Sequence, residues 1–515
     1  MTHLLTDRSR LSAPPPPRAA AGRTVAGRVA LAGVVAVLGW YCLRGPLVDL
    51  WVYRDGVLAA LDGRRVYEIG LGELGLPFTY PPFGILALTP LAVAPPLVTA
   101  LLWFAVGVAA LVDGCRSLQA WGRRQGWRVR VGVPATAAVA LLAEPVLSTL
   151  AFGQVNLVIM ALVLRDVSGR GPLPRGVLIG LVAGVKLTPA AFVLYYAVTG
   201  RWPAVRNAVA TAVGTVVLGA VLLPGPSAAF WLGGLFTDPA RPGSPWYLTN
   251  QSLTGVLTRA LGPDLGVHAA LLAAVPVVLL AAVTARLAHR SGRGLLAFAT
   301  VSFVPLLISP ISWSHHWVFL LVPAYAALFG PWAADRARRA FAVAVLAATL
   351  LQPLRLLPGG ADVELRYPWW LHLMTAMYPL LALAWVALLQ VELRRPDHQG
   401  GRSRWRSGER PSRADTGPAC DGAGGGQPVR RTSTTPRATS TDHETAWDQE
   451  ICAGTSTAIT SPVRSRLWRG ARDPGSGRAT PPCAPTPASS SGQDGVVSHG
   501  VTVAPPPPGT PGRRR

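Results

Sequence analysis

The stretch VDLWVYRDGVLAALDGRRVYEIGLGELGLPFTYPP, residues 48–82, is polar, aromatic and acidic, and it interrupts a series of apolar runs. It collects five carboxylates in a chain that is otherwise poor in them, namely Asp49, Asp55, Asp62, Glu68 and Glu73. The apolar runs around it approach the roughly 20 residues needed to cross the hydrocarbon of a bilayer. We therefore expect these residues to form the active-site loop of a membrane enzyme, carried by a frame of membrane helices.

The composition is that of a polytopic, all-α membrane protein. Half of the 515 residues are hydrophobic and only 14% are charged. The formal net charge of +23 would suggest nucleic-acid binding in a soluble domain, but here the arginines lie between apolar runs and near the C-terminus. The five cysteines are scattered and lack CxxC or His-paired spacing, so neither a disulfide framework nor a zinc site is predicted.

Arginine clusters predict which helix ends face the cytoplasm, because basic loops stay on that side of the membrane. A basic, disordered arm at residues 1–27 leads into a first span at about 28–44, so the loop that follows is predicted on the outer face. The later clusters fall on the cytoplasmic side in the same scheme, at 116–130, 165–175, 201–206 and 286–293. Four polar segments then share the outer face: Asp49–Pro82, Gln154 with Asn156, Asn250–Ser252 and Ser312–His316.

The membrane domain is predicted at residues 28–392, as a bundle of about 10–12 transmembrane helices with outer-face loops. Two parts of it are expected to be irregular. Residues 82–95 are too short to cross and predict a dip or a broken half-helix, and residues 176–199 predict a hairpin of short helices that breaks at Lys186–Pro189. Residues 393–515 are basic and rich in Pro, Ser, Thr and Gly, which predicts a disordered tail without an enzymatic role.

Asp49 is the leading candidate for a general base. It comes after the first span, where a carboxylate near the bilayer boundary is partly desolvated and can accept a proton once hydrogen-bonded. Asp55 lies six residues further on and is a candidate for binding the substrate; if residues 51–61 form an interfacial helix, it faces water. The alternative for both acids is that they only solvate an outer loop.

Lys186 is the only lysine in the chain, since the other 47 side chains among Lys and Arg are arginines. It lies in an apolar hairpin, where an unpaired cation costs about 3 kcal/mol or more. We therefore expect it to bind a lipid phosphate. The alternative is that its side chain extends to the nearer membrane surface.

His315 and His316 follow Trp313 at the start of a predicted span. Neighbouring side chains on a helix diverge by about 100°, so the two cannot have the same role. One is expected to face the cavity as an acid, a base or a phosphate ligand while the other packs, and a purely structural pair is the alternative. With no third ligand nearby, no metal is predicted, and activity should persist in a chelator.

Further polar side chains on the outer face are candidates for binding the substrate. Tyr80 precedes two prolines, which restrict the backbone and turn the loop back towards the membrane. Asn250 and Gln251 offer donors and acceptors suited to sugar hydroxyls. The remaining candidates are Gln154, Asn156 and Ser312.

Five blocks of sequence carry a family resemblance, in this order: VDLWVYRDG…LDGRRVYE…FTYPP, GQVNLVIMALVLRD, GLVAGVKLTPAAFVLYYAVTGRW, NQSLTGVLTR and SPISWSHHWVFLLVP. Together they cover about residues 30–392 and leave out the N-terminal arm and the tail. The chain resembles the actinobacterial polyprenol-phosphate-mannose-dependent alpha-(1,2)-mannosyltransferases, which are glycosyltransferases of the GT-C class.

The resemblance implies a polyprenyl-phosphate-mannose donor, a mannosylated lipid or glycan acceptor, and an active site on the outer face of the plasma membrane. It also implies that Asp49, as the aspartate of the first outer loop, is the catalytic base of a single inverting displacement. We expect Lys186 and one of the two histidines to stabilise the phosphate that leaves. No cofactor and no nucleic-acid partner are expected.

Two other classes of function are alternatives to this one. In a transporter of a lipid or polysaccharide precursor, Lys186 would bind substrate during alternating access and Asp49 would only gate. Inverted repeats would favour a transporter, and the sequence shows none. A noncatalytic scaffold would not need four polar segments on one face.

Overall fold

The structure, a computed structural model, describes residues 17–394 except 239–240, 242, 331–334 and 361. Within this part the regular structure is helical, and extended pairing is confined to two isolated bridges, Leu71 with Leu76 and Asn250 with Trp313. The predicted all-α class is confirmed. Residues 1–16 of the predicted arm lie outside the described residues, as does the predicted tail beyond residue 394.

The first eight helices lie between residues 17 and 168. They are α1 Pro17–Leu43, α2 Val48–Leu61, α3 Pro82–Leu88, α4 Pro90–Val93, α5 Pro96–Arg124, α6 Val133–Leu141, α7 Glu144–Phe152 and α8 Asn156–Ser168. α1 begins inside the stretch predicted as a disordered arm, because its alanine-rich start favours a helix. Asp49 lies in the first turn of α2, and residues 82–95 form the short helices α3 and α4 where a dip was predicted.

The middle of the chain contains the predicted break. Its helices are α9 Val177–Val185, α10 Val193–Val198, α11 Trp202–Leu222, α12 Pro224–Ser227 and α13 Leu253–Leu261. α9 ends at Val185. The next residue, Lys186, has an extended backbone with φ −145° and ψ 132°, and a 3-10 turn at Thr188–Phe192 follows. Pro189 lies at the start of that turn, as expected for a residue that cannot continue an α-helix.

Seven helices complete the described part: α14 Pro263–Arg290, α15 Gly294–Val301, α16 Val304–Ile308, α17 Leu321–Phe329, α18 Arg336–Leu350, α19 Trp369–Thr375 and α20 Met377–Arg394. A 3-10 helix at Ser314–Leu320 precedes α17 and carries both histidines. Shorter 3-10 turns lie at Pro353–Leu356 and Val363–Arg366.

Five of the described helices are long and apolar enough to cross a membrane: Val25–Leu43 of α1, α5, α11, α14 and α20. The pair α6 and α7, bent by 74°, makes a sixth if it is one span. Fewer helices reach full length than the 10–12 expected because several predicted spans are pairs of shorter helices, such as α15 with α16. The chain is a multi-pass membrane protein.

The long helices direct bulky apolar side chains away from the protein. On α14, for example, Leu271, Leu272 and Val275 are exposed. A continuous apolar face of this kind is unfavourable in water and matches the hydrocarbon of a bilayer. The polar side chains described below are directed inwards instead.

The packing of the helices brings the polar segments together. α2 packs against α3, α4 and α7, and α7 packs against the 3-10 helix Ser314–Leu320. α9 packs against α3, α8 and α11. The start of α2, the end of α7, the break after α9 and the histidine-bearing 3-10 helix therefore surround one region.

Candidate active site

A cavity of about 1390 Å³ lies where these elements meet. Six of the predicted site residues line it: Asp49, Tyr80, Gln154, Lys186, His315 and His316. Small-molecule sites commonly measure about 300–1,000 Å³, so this cavity has room for two ligands side by side. Sequence segments that are far apart in the chain thus form one site.

Asp49 lies at the wall of the cavity, with its side chain partly buried. The carboxyl group is hydrogen-bonded to the Gln154 side chain and lies close enough to Lys186 to feel its charge. Burial raises the pKa of Asp49 to about 6, against the opposing effects of the Gln154 hydrogen bond and the Lys186 charge. A carboxylate with such a pKa is a stronger base than one in water and is still ionised at neutral pH.

Two tyrosines fix the orientation of Gln154. The hydroxyls of Tyr53 and Tyr80 are 2.6 Å apart, and they lie 2.8 and 3.1 Å from Gln154 Oε1. Because a phenol hydroxyl donates one proton, at least one of them donates to Oε1, which leaves the amide N–H groups of Gln154 for Asp49. The tyrosines therefore influence Asp49 through Gln154.

Gly153 allows α7 to approach α2 closely enough for this contact. It ends α7 with φ 69°, and a Cβ atom there would lie only 2.5 Å from Leu50 Cβ. Any other residue would separate the two helices and would be strained in the left-handed region. Glycine at this position thus places Gln154 next to Asp49.

Lys186 extends into the cavity from the break that follows α9. Its Nζ lies 3.1 Å from Asn156 Oδ1 and 3.3 Å from His316 Nε2, and 5.5 Å from the centre of the Tyr80 ring. An ammonium group only donates, so His316 Nε2 accepts and the proton of a neutral ring is on Nδ1. Asn156 lies behind Lys186 and orients it, and does not line the cavity.

The two histidines both line the cavity but have different surroundings. His316 contacts Lys186, whereas the ring of His315 packs edge-on against Phe152 and against His316, with centroid distances of 5.3 and 4.7 Å. The buried Nε2 atom of His315 has no hydrogen-bond partner among the described residues. The main-chain carbonyl of His315 accepts hydrogen bonds from Thr149 and Asn156, which fixes the segment against α7 and α8.

Glu144 is a second buried acid of the cavity that the sequence reading missed. It begins α7, is 5% exposed, and accepts hydrogen bonds from the hydroxyls of Ser148 (2.8 Å), Ser314 (2.8 Å) and Tyr378 (2.7 Å). Arg355, which also lines the cavity, donates to Ser148 Oγ at 3.1 Å. The signal was available, because Glu144 is the only acid in the apolar run at 131–149.

Arginines and aromatic rings add to the lining. Arg241 donates to the carbonyls of Tyr67 and Phe78, at 3.2 and 3.0 Å, and so secures the loop after α2. Tyr247 and Trp313 stand edge to face at 6.0 Å, with both rings on the cavity wall. Guanidinium groups suit phosphates and aromatic faces suit sugar rings. Neither Arg241 nor Arg355 was among the residues predicted from the sequence.

Four predicted site residues lie elsewhere. Asp55 accepts a hydrogen bond from the Gly72 main chain at 3.2 Å and supports the loop. Asn250, Gln251 and Ser312 are at most 1% exposed and do not line the cavity.

The side-chain amides of Asn250 and Gln251 are buried and hold loops together. The expectation that they bind sugar hydroxyls is therefore corrected. Asn250 Nδ2 donates to the carbonyls of Pro245 and Pro310, while its Oδ1 accepts from the Ser312 main chain at 2.9 Å. Gln251 connects the carbonyl of Thr375 to the N–H of Tyr378. Among the described residues, no three His, Cys, Asp or Glu side chains are grouped closely enough to hold a metal ion.

Comparison with known proteins gives a consistent set of relatives. The family model for Glycosyltransferase family 87 matches residues 78–310. A polyprenol-phosphate-mannose-dependent alpha-(1-2)-phosphatidylinositol pentamannoside mannosyltransferase of Mycolicibacterium smegmatis is 35% identical over 393 residues, which are 73% of this chain and 94% of the relative. A polyprenol-phosphate-mannose-dependent alpha-(1-2)-phosphatidylinositol mannoside mannosyltransferase of Mycobacterium tuberculosis is 34% identical over 363 residues, 65% of this chain and 83% of the relative.

Among solved structures, ArnT from Cupriavidus metallidurans bound to undecaprenyl phosphate is similar with a TM-score of 0.32 and 18% identity, over 71% of this chain and 77% of that one. The sequence relatives are the stronger finding, since the alignment spans nearly the whole length of the first of them. The resemblance noted in the sequence is thereby confirmed. The chain belongs to glycosyltransferase family 87, together with these mannosyltransferases, and is a multi-pass membrane glycosyltransferase.

Proposed function

We propose that the protein transfers mannose from polyprenyl-phosphate mannose to a mannosylated lipid or glycan on the outer face of the plasma membrane. The observation that carries the proposal is the meeting of Asp49, a base with a raised pKa, and Lys186, a cation, on the wall of one cavity. The relatives support the donor and the sugar, because their names specify polyprenol-phosphate mannose and mannosyl transfer.

In the proposed reaction, Asp49 accepts the proton of the acceptor hydroxyl while the hydroxyl oxygen forms a bond to the anomeric carbon of mannose. The bond between this carbon and the phosphate oxygen breaks, and polyprenyl phosphate leaves with the electron pair. Attack from the side opposite the leaving group inverts the anomeric carbon. The negative charge that develops on the phosphate is stabilised by Lys186, with His316 next to it.

Gln154 keeps the base in place during this step. Its amide donates to Asp49, and the Tyr53 and Tyr80 hydroxyls prevent the amide from turning over. A fixed donor beside the carboxylate holds the accepting oxygen towards the acceptor hydroxyl. The 1390 Å³ of the cavity allow the donor sugar and the acceptor sugar to be present together.

The charge pattern of the sequence supports the outer face. Arginine clusters occur at 116–130, 165–175 and 286–293, at helix ends away from the cavity-lining segments in the predicted topology. A lipid-linked donor that reaches the site through the bilayer also agrees with the absence of a nucleotide-binding glycine motif from the sequence.

The proposal is tested by mannosyl transfer from radiolabelled polyprenyl-phosphate mannose in membranes that contain the wild type or Asp49→Asn at matched protein levels. Loss of a general base lowers the rate by about 10²–10⁴-fold, so transfer by Asp49→Asn should fall to near background. Asp62→Asn is the matched control, because Asp62 is an exposed acid at the end of the same helix, paired with Arg64.

If the wild type transfers mannose and Asp49→Asn transfers it at the same rate, Asp49 is not the base. No transfer by the wild type with any mannosylated phosphatidylinositol would contradict the proposed donor and acceptor together. Sealed right-side-out vesicles then test the face, since a membrane-impermeant acceptor is mannosylated only if the cavity opens outwards.

A further inference from the structure

A second pocket lies at the other end of α8, apart from the cavity already described. It measures about 210 Å³ and shares no lining residue with the large cavity. α8 begins at Asn156, which lies behind Lys186. It ends at Ser168, which lines the second pocket. At 1.5 Å per residue the two ends of this helix are about 18 Å apart.

The lining is cationic. Its positive charge comes from Arg124, Arg175 and Arg201, and none of the eleven residues that line it is acidic. Two of the guanidinium groups are held in place, because Arg124 donates to the carbonyl of Ser168 at 2.6 Å and Arg175 to that of Val167 at 3.1 Å. We call this site the arginine pocket.

The acids nearby are already bound to other groups. Asp113 is paired with Arg165 and Arg170, at 2.9 and 3.3 Å. Asp166 accepts hydrogen bonds from the main-chain N–H groups at the start of α9 and from the Tyr196 hydroxyl. Neither acid lines the arginine pocket.

Two polar atoms in the lining have no partner among the described residues. The Tyr195 side chain is fully buried and its hydroxyl has no hydrogen bond. The buried Nη1 atom of Arg201 has no hydrogen bond either. The hydroxyl faces the space beside Gly294, since a Cβ atom there would lie 3.7 Å from it. Buried donors without acceptors are costly, so both atoms point to a ligand that accepts hydrogen bonds.

We propose that the arginine pocket binds a phosphate group. Phosphate offers several acceptor oxygens and a negative charge, and guanidinium groups match its geometry. Water in the pocket could accept the same hydrogen bonds but would leave the arginine charges uncompensated. At 210 Å³ the site holds a phosphate and little more, below the size of a typical small-molecule pocket.

The phosphate either is free or belongs to the headgroup of an anionic lipid. The surroundings allow both, since Arg201 directly precedes the long apolar helix α11 and His289 lies in the last turn of the long apolar helix α14. A lipid with its tails along these helices would present its phosphate at this level of the protein. The site is separate from the large cavity, because the two share no lining residue, and the proposal does not rest on mannosyl transfer.

The test uses the full chain in phosphatidylcholine nanodiscs and measures the midpoint of thermal unfolding. Inorganic phosphate is titrated at constant ionic strength, and dioleoyl phosphatidic acid is added to the discs in a separate series. A ligand that binds only the folded state raises the midpoint with concentration. A rise with inorganic phosphate identifies a site for free phosphate, and a rise with phosphatidic acid alone identifies a site for a lipid headgroup.

Variants locate the binding. Arg201→Gln should weaken the apparent affinity about tenfold or more, since it removes a charge-assisted hydrogen bond. Arg206→Gln is the matched control, because Arg206 is exposed on the same helix and does not line the pocket. Tyr195→Phe removes only the unpartnered hydroxyl, so it should fold and should still lower the affinity, and it decides the question if Arg201→Gln does not fold.

The same titrations are repeated with the Lys186→Gln variant, in which the large cavity has lost its lysine. The rise in the unfolding midpoint should persist in this variant, because phosphate binds in the arginine pocket and not in the large cavity. No rise with either phosphate source would overturn the proposal. An equal loss of affinity in Arg201→Gln and Arg206→Gln would also overturn it, because it would show that phosphate binds to general surface charge.

Discussion

Replacing Glu144 by glutamine should destabilise the protein and slow mannosyl transfer at the same time. The Glu144 carboxylate accepts three hydrogen bonds, two from serine hydroxyls and one from Tyr378. One of the donors, Ser314, directly precedes His315 and His316. Glu144 therefore connects α7 and α20 to the segment that carries both histidines.

The size of the effect follows from these hydrogen bonds. Glutamine keeps one acceptor oxygen and replaces the other by an NH₂ group, so at least one hydroxyl loses its acceptor. Hydrogen bonds to charged groups contribute about 1.5–3 kcal/mol and neutral ones about 1 kcal/mol. Losing one and weakening the others should lower the free energy of unfolding by roughly 2–4 kcal/mol, after some reorientation of the hydroxyls.

The assay is thermal unfolding of purified protein in detergent, followed by transfer in membranes at matched protein levels. The midpoint of Glu144→Gln should fall by roughly 3–8 °C. Glu68→Gln is the control, because Glu68 is exposed and its pair with Arg65 should contribute at most about 1 kcal/mol. A Glu144→Gln protein that unfolds and transfers mannose like the wild type would refute the role assigned to this acid.

Three further predictions concern the base, the cation and the packing beneath them. Lys186→Gln keeps a donor towards Asn156 but loses the charge, so transfer should fall by about 10²–10³-fold at saturating donor; a normal rate would exclude phosphate stabilisation by Lys186. Because only ionised Asp49 accepts a proton, kcat/KM should be constant near pH 7–8 and fall with decreasing pH below the raised pKa of about 6; a flat profile from pH 8 to 5 would contradict this. Gly56→Ala would place a Cβ atom 2.5 Å from the Phe78 ring and should cost about 1–3 kcal/mol in unfolding free energy, whereas Gly214→Ala, with open space around it, should cost nothing.

The sequence predicted the course of the chain correctly at a position where one proline determines where a helix ends. The break after α9 was expected at Lys186–Pro189, because proline cannot continue the helix, and the structure has it there. The bend between α6 and α7 was missed, since residues 131–149 form one apolar run of spanning length. Its cause is local, with an extended Ala143 before a new helix that has Pro145 in its first turn.

The candidate site was predicted in part. Asp49, Gln154 and Lys186 come together as expected, although more than a hundred residues separate the first from the last. The amides of Asn250 and Gln251 were misread, because an amide that joins two loops and an amide that binds a sugar have the same local sequence. Only the tertiary contacts separate the two, and these place both amides away from the cavity.

Charged residues within apolar runs are more informative than polar residues in loops. A polar side chain in a loop can always bond to water, whereas a charge in an apolar run needs a partner or a cavity. Lys186 and Glu144 both lie in such runs and both line the large cavity. The rule is incomplete, because a buried charge can also be wholly structural.

Arg259 shows what separates the two cases. It is 2% exposed, and its guanidinium donates to the main-chain carbonyls of Tyr247, Asn250 and Thr375. Arg259 thus connects its own helix, α13, to the loop before it and to the end of α19. Lys186 has side-chain hydrogen bonds to Asn156 and His316 and lines the cavity. An ammonium group has three N–H donors, so one remains for a ligand. Donor capacity directed into a cavity, rather than burial of charge, is therefore the reason for proposing Lys186 as the group that binds the phosphate.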